Sequence, residues 1–251
     1  MTSPIRLYLN KDLYKGIEFE LRDGQFHYLR NVMRLRAGAE LSIFNGNDGE
    51  FLGQIIDIHK NSVLICIKSQ IRPQPVGSDL WLLFSPIKRS GTNFIVEKAT
   101  ELGVKRLIPV LTEYTSINHV NLNRLNAIAI EAAEQCQRLT VPDISSPKLL
   151  EDVLYDWDQS RRLLVMDETL AMRGLIADDV ARLSKIRFKK NVIQCDAILT
   201  GPEGGFSPSE LKRLGDLTFV QKITLGKRIL RAETAATVAL GLWNELVETS
   251  E

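Results

Sequence analysis

Cysteine and histidine are scarce, with three of each among 251 residues. Cys66, Cys136 and Cys195 are far apart, as are His27, His59 and His119, so no pair has ligand spacing and no metal site is expected. Each cysteine stands among apolar neighbours, which favours buried free thiols over a disulfide framework. No apolar run approaches the length needed to span a bilayer, and no membrane partner is expected. The N-terminal stretch MTSPIRLYLN lacks a cationic segment followed by a long apolar one, so no secretory signal is expected and the chain reads as cytoplasmic. Neither sign of charge dominates: 32 Lys and Arg stand against 31 Asp and Glu, and a net charge of +1 makes no bulk electrostatic case for a nucleic-acid partner. Two phosphate-binding patterns are missing as well. G-x-x-x-x-G-K-[ST] is absent, which disfavours a P-loop NTPase, and no G-x-G-x-x-G follows a strand, which weakens a nicotinamide-dependent oxidoreductase.

What is present is ordinary globular composition, 44% hydrophobic and 25% charged, at a length that suits one large or two unequal domains. The first seventy residues are β-rich. RLYLN, ELSIFN, FLGQIIDI and SVLICIK have strand character, and Asn45-Gly46 and Asp48-Gly49 supply hairpin residues that tolerate positive φ. One helical interruption, FHYLRNVMRLR, places Leu29, Val32 and Met33 inward and leaves Arg30, Arg34 and Arg36 outside. A small barrel carrying a basic helix fits this order, the arginines serving either surface solubility or RNA contact.

IRPQPVGSD breaks both periodicities, placing a boundary near residue 73 and dividing the chain into domains 1–72 and 73–251. Beyond it LWLLFSPI reads as a strand buried on both faces. NFIVEKATELG reads as a helix ended by Gly103, followed by the strand VKRLIPVLT. A long helix from Asn121 to about Leu139 carries Leu122, Leu125, Ala129, Ala132, Cys136 and Leu139 on one face, which makes Cys136 a core residue. A shorter helix at LLEDVLYDW precedes the strand RLLVM, and a helix over LAMRGLIADDVARLSKI precedes the strand CDAILT. This alternation predicts an α/β fold with an open parallel sheet. The cluster Lys185, Arg187, Lys189 and Lys190 reads as a solvated face.

Two glycine-bearing loops stand out near the C-terminus. After CDAILT comes Gly201-Pro202-Glu203-Gly204-Gly205, at the carboxyl edge where open α/β sheets bind ligands. Ser207 as N-cap, Pro208 at the first helical position and Glu210 completing a capping box start the next helix. Glu203 is suited either to ligand hydroxyls or to loop amides. The second loop, Gly226-Lys227-Arg228-Ile229-Leu230-Arg231-Ala232, follows FVQKITL, and residues 217–232 contain Lys222, Lys227, Arg228 and Arg231 without an acid. Glu233 and Thr234 open a helix whose Ala235, Val238, Leu242 and Leu246 form a face for the core or for a partner subunit. Read as following adjacent strands, the two loops offer backbone groups to grip an adenine ring.

LTGPEGGFSPSE together with LGKRILRAETAA, preceded by EKATELGV and IEAAEQCQR, resembles the 16S ribosomal RNA uracil-N3 methyltransferase family of the SPOUT superfamily. HYLRNVMRLRAGAEL and NGNDGE extend the resemblance to the family's N-terminal PUA-like β-barrel. It implies a C-terminal SPOUT-type domain with a trefoil knot, S-adenosylmethionine as methyl donor, 16S rRNA within the small ribosomal subunit as partner, and a homodimer. Carried over by position, Thr200, Gly201, Glu203, Gly204, Leu225, Gly226, Leu230 and Thr234 would bind the donor. Arg228 and Arg231 would stabilise charge on the base, with Glu233 as proton acceptor. Arg30, Arg34, Arg36, Lys88 and Arg89 would meet RNA phosphates. The chain departs from the family's pattern at Thr112-Glu113-Tyr114-Thr115, where an arginine is frequent, and at Leu125-Asn126, where a tryptophan is common.

Overall fold

A computed structural model of the chain describes residues 5–172 and 195–248. The helix expected from Leu170 is described only to Met172, and the cluster Lys185, Arg187, Lys189 and Lys190 lies outside the described residues. Contacts divide the chain into two compact units, one containing the residues up to 76 together with 133–141, the other 77–132 together with the residues from 142 onward.

The first unit is a bent five-stranded sheet in the order β1-β3-β4-β5-β2, formed by β1 (Arg6–Tyr8), β2 (Glu18–Leu21), β3 (Glu40–Phe44), β4 (Glu50–Ile58) and β5 (Val63–Arg72). Among the described residues of this unit, only β1 and β3 pair in parallel. Alternation in β5 turns Val63, Ile65 and Ile67 into the core beside Leu41, Ile43 and Ile55. Three shifts of register between β4 and β5 curve the sheet around that core. Gly53 makes room there for the core, because a Cβ would come within 2.5 Å of Ile43 Cδ1 and displace that side chain. The β3–β4 hairpin turns as its sequence predicts: Gly46 and Gly49 have φ of 92° and 94°, and Asn45 Oδ1 accepts from the amides of Asn47 and Asp48.

Helix α1 (Asp23–His27) runs into a π-helical turn, Tyr28–Val32. The wider turn breaks the expected face. Leu29 is fully buried, but Val32 is 56% exposed and Met33 is exposed too, because i→i+5 bonding rotates the following positions off the 3.6-residue register.

Residues 133–141 join this unit through the packing of Ala133 and Leu139 on Phe44 and through a buried guanidinium. Arg6 Nη1 donates to the carbonyls of Ala133 and Glu134 at 2.8 and 3.0 Å, and Nη2 to that of Arg138 at 3.0 Å. It satisfies carbonyls that a helix end leaves without partners. Arg6 Nε pairs with Glu50 at 2.7 Å, and Glu50 also accepts from Arg72 Nε at 2.5 Å. Burial opposes ionisation of Glu50, but the hydrogen bonds from Arg72 and Arg6 outweigh it and hold its carboxyl below the ordinary range.

The second unit is an all-parallel sheet in the order β12-β10-β11-β6-β7-β8, with β9 also beside β7. Its strands are β6 (Trp81–Phe84), β7 (Arg106–Leu111), β8 (Asp143–Ile144), β9 (Lys148–Leu149), β10 (Arg162–Met166), β11 (Asp196–Thr200) and β12 (Val220–Ile223). Between them run α2 (Arg89–Glu101), α3 (Leu122–Gln135), α4 (Leu150–Tyr155), α5 (Thr169–Met172), α6 (Pro208–Gly215) and α7 (Ala232–Glu248). Leu83, Leu163, Val165, Ala197 and Leu199 share one core with α4 and α6. The alternate positions Leu82, Phe84, Leu164 and Ile198 are buried on the other side, where α7 packs on β11 and Trp243 Nε1 donates to Asp196 at 2.8 Å. Burial on both faces explains the uninterrupted apolar strands. On α7 the deeply buried positions are Ala232, Ala236, Ala239, Leu240 and Trp243, which leaves Val238 partly and Leu242 largely exposed.

The thiols differ from expectation. Helix α3 stops at Gln135 and Gln137 has φ of 62°, so Cys136 leaves the helical stripe and is exposed. Cys66 is half-buried because β5 turns it away from the core side that holds Ile65 and Ile67, Cys195 is exposed just before β11, and no disulfide joins the three.

Candidate functional site

The carboxyl ends of β10, β11 and β12 carry the candidate site, in an order the sequence reading did not anticipate. Strands β11 and β12 are not adjacent, because β10 lies between them and pairs with both. The glycine loops therefore flank the end of β10, where Met166 closes the strand and Asp167 and Glu168 leave the sheet.

A cleft of about 50 Å³ opens there, lined by Met166, Asp167, Glu168, Thr224, Leu225, Gly226, Arg228, Leu230 and Ala235. Asp167 is buried, its amide donates to the carbonyl of Ile223, and its Oδ1 accepts from the amide and hydroxyl of Thr169 at 2.9 and 2.7 Å. Those bonds fix the turn and leave Glu168 facing the cleft. Glu168 also touches the first loop: a Cβ on Gly205, whose φ is +69°, would collide with its carboxylate. Gly226 has φ of +119°, a conformation open to glycine, and its face is unobstructed. Thr224 Oγ1 accepts from the Gly226 amide and donates to its carbonyl, which ties the second loop to the end of β12.

Of the residues expected to hold a donor, Leu225, Gly226 and Leu230 line this cleft with Arg228, whereas Thr200, Gly201, Glu203, Gly204 and Thr234 do not. Thr200 is buried beneath the first loop; its hydroxyl and that of neighbouring Ser85 meet no hydrogen-bond partner among the described residues. Gly201 lies against the Phe206 ring, Gly204 against Tyr114, and Glu203 is exposed. The Tyr114 turn is itself pinned, as the Glu113 amide donates to Glu210 Oε1 at 2.8 Å and the Thr112 amide to Thr115 Oγ1 at 2.9 Å. Ser207 and Glu210 form the reciprocal capping box foreseen from the sequence, with Pro208 at the first helical position.

Arg231 is exposed and precedes α7, its carbonyl accepting the helix's first bond from Ala235. A cation at a helix N-terminus opposes the helix dipole and caps nothing, so stability does not explain it. Glu233 sits in the first turn of α7, and its carboxylate lies 3.9 Å from the point where a Cβ on Gly91 would stand. This brings Glu233 to the first turn of α2, beside Lys88 and Arg89, which are both exposed. Among the described residues no group of His, Cys, Asp and Glu is arranged to hold a metal.

Comparison with known proteins fits this arrangement. Residues 73–244 match the model of an RNA methyltransferase domain and residues 21–67 that of an RNA methyltransferase PUA domain. Ribosomal RNA small subunit methyltransferase E of Rickettsia conorii is 35% identical over 237 residues, covering 94% of this chain and 93% of its own. The chain belongs to the ribosomal RNA small subunit methyltransferase E family. A family member from Neisseria gonorrhoeae, solved with bound S-adenosylmethionine, superposes with a TM-score of 0.84 at 27% identity, covering 97% of each chain. A putative methyltransferase of Legionella pneumophila, also solved with that cofactor, gives 0.82 at 25% identity, covering 97% of this chain and 98% of its own.

The fold class expected from the resemblance, a PUA-like N-terminal unit and a C-terminal parallel-sheet methyltransferase domain, is that of the family. Glu168 is the residue that sequence reasoning missed. It stands two residues past β10, at the carboxyl edge where open α/β sheets bind ligands, but only the strand order puts it between the two loops.

Proposed function

We propose that this chain transfers a methyl group from S-adenosylmethionine to N3 of one uridine in the 16S ribosomal RNA of the small subunit, in the cytoplasm and as a homodimer. The observation that carries the reading is the cleft at the end of β10, bounded by Gly226 to Leu230 and joined through Glu168 to the Gly201 to Gly205 loop. Its residues fit the donor. Met166, Leu225 and Leu230 offer apolar cover to an adenine, the bare backbone at Gly226 admits close approach, and Glu168 supplies an acid for a ligand bearing hydroxyls and cationic groups. At about 50 Å³ the cleft takes only part of such a ligand, and the remainder would lie along the loops that carry Gly201, Glu203, Gly204 and Thr234.

When bound, S-adenosylmethionine supplies an electrophilic methyl group on a sulfonium. N3 of uracil is protonated at neutral pH, so the chain must help that proton leave and stabilise the anion that results. Arg228, on the cleft, and Arg231, at the head of α7, are assigned to the negative charge developing on the base. Glu233 is the candidate proton acceptor, held beside Gly91 in the first turn of α2; its alternative role is to anchor α7 against α2. Arg30, Arg34 and Arg36 on the first unit, with Lys88 and Arg89 on the second, are assigned to phosphates, which position an RNA without specifying its sequence. The exposed side of α7 at Val238 and Leu242 supports the dimer, and the trefoil knot is what the family resemblance implies.

The test is to incubate the protein and labelled donor with small ribosomal subunits or naked ribosomal RNA, digest the product and identify the labelled nucleoside. 3-Methyluridine is expected; a ribose-methylated nucleoside or no label rejects the reading. Arg231→Ala should abolish turnover while donor binding survives, and near-normal turnover would remove its assigned role. Glu233→Gln should lower kcat at unchanged melting temperature if it accepts the proton, whereas a fallen melting temperature with kcat retained identifies the anchor.

A further inference from the structure

In the first unit, Phe26, Arg30, Asn31 and Arg34 from the helical turn meet Ile58, His59 and Lys60 from the β4–β5 turn around an open concavity of about 690 Å³. Three cations line it and no carboxylate does. Among the described residues Arg30, Arg34 and Lys60 form no ion pair, and Asp57 lies 3.6 Å from His59 Nδ1.

Arg34 has φ of 55°. The Leu35 amide donates back to the Leu29 carbonyl at 3.0 Å and the Met33 amide to that of Tyr28 at 2.9 Å, so Arg34 fills the left-handed position that ends a helix. Glycine suits that position best because a Cβ is strained there. Asp23 and Gln137 are the other left-handed non-glycine residues among those described, and the Gln137 carbonyl accepts from Arg72 Nη2. Arg34 has no hydrogen-bond partner among the described residues; its left-handed turn ends the helix, which glycine would do with less strain, and in addition it sets a guanidinium at the concavity.

The remaining lining says what the cations hold. Phe26, half-buried against the core, and the exposed His59 bring aromatic rings to the lining, and Asn31 carries both a donor and an acceptor, the equipment for stacking on a base and reading its edge. A duplex offers phosphates but buries its base faces, so rings and amide would have no use against one. The geometry points to a subsite for one unpaired nucleotide of the RNA, separate from the nucleotide that is methylated. This rests on RNA being the substrate.

The test uses the full chain, fluorescence anisotropy over a salt series, and a short labelled RNA presented single-stranded or annealed to its complement. The single strand should bind more tightly. His59→Ala, at an exposed turn, should weaken single-strand binding by roughly 5- to 100-fold and leave duplex binding within about twofold. Arg34→Gly should weaken binding of both forms, reduce the single-strand slope of log K against log salt by about 0.7, and melt no lower than the wild type. Equal binding of single strand and duplex, an unaffected His59→Ala, or a lower melting temperature for Arg34→Gly would each overturn the subsite. Methylation of small-subunit RNA by the wild type is scored separately. If it occurs while both variants bind as the wild type does, the subsite alone fails; if the wild type does not methylate, the proposed function fails.

Discussion

Glu50→Ala tests the account of the first unit most directly. In the wild type the carboxylate is shared by Arg6 and Arg72, and the side chains of Arg6 and Glu50 are only 6% and 5% exposed. Removing one partner of a buried ion pair costs about 3–5 kcal/mol, because the other charge stays buried without compensation. Two features set the expectation at the lower end, about 3 kcal/mol. Arg72 is 42% exposed and can turn to water, and Arg6 keeps the three carbonyls at the end of α3. The loss should depend on pH with a determined sign. Glu50 is held below its ordinary value near 4.5, so its contribution is complete above that value and disappears as pH falls through the lower folded value. The gap between variant and wild type should be constant at neutral pH and narrow below about 4.5. Trp81, Trp157 and Trp243 all lie in the second unit, so tryptophan fluorescence would miss the effect. Urea unfolding should be followed by hydrogen exchange at the amides of β4 and β5. A loss below about 1 kcal/mol at neutral pH, or a gap that widens on acidification, would refute the buried network as described.

Gly205→Ala should reduce S-adenosylmethionine affinity by at least about tenfold in calorimetry, since it forces a left-handed alanine and displaces the Glu168 carboxylate; unchanged affinity would mean that Glu168 does not serve the donor. Ser207→Ala removes one half of the α6 capping box and should cost about 0.5–2 kcal/mol in thermal unfolding, with Ser207→Gly less harmful. Leu242→Lys, on the exposed side of α7, should shift the protein toward monomer in sedimentation without lowering its melting temperature; an unchanged oligomer would place the dimer contact elsewhere.

Much of this architecture was legible along the chain, and the exceptions share a cause. Strands buried on both faces, the hairpin at Asn45 to Gly49 and the Ser207 capping box are local, so composition and spacing reveal them. Val32 and Met33 depended on a regular 3.6-residue turn, and one π-helical turn moved them to the surface. Cys136 failed similarly: its stripe was correct up to the point where Gln137 adopts a left-handed conformation. The site itself was half legible. Both glycine loops announce close backbone approach, but the intervening strand, and with it Glu168, depends on the order of a parallel sheet, which no local pattern encodes. Family resemblance named the donor and the reaction; it did not reveal what stands between the loops.

The grip of Arg6 on the end of α3 bears on how the chain is made. Its three carbonyl partners lie 127, 128 and 132 residues downstream, and Leu139 closes over Phe44 in the same unit. The first unit is thus interrupted in sequence by 56 residues of the second, from 77 to 132. During synthesis its strands can pair as soon as residue 72 is available, but Arg6 and Glu50 must wait beside an uncovered Phe44 until residue 141 follows. A gene cut at the apparent linker would release a fragment frozen in that waiting state, with a buried charge pair opened to water and an aromatic face left to aggregate. A useful dissection of this protein has to carry 133–141 along with the first unit, or reconnect the chain so that they follow it directly.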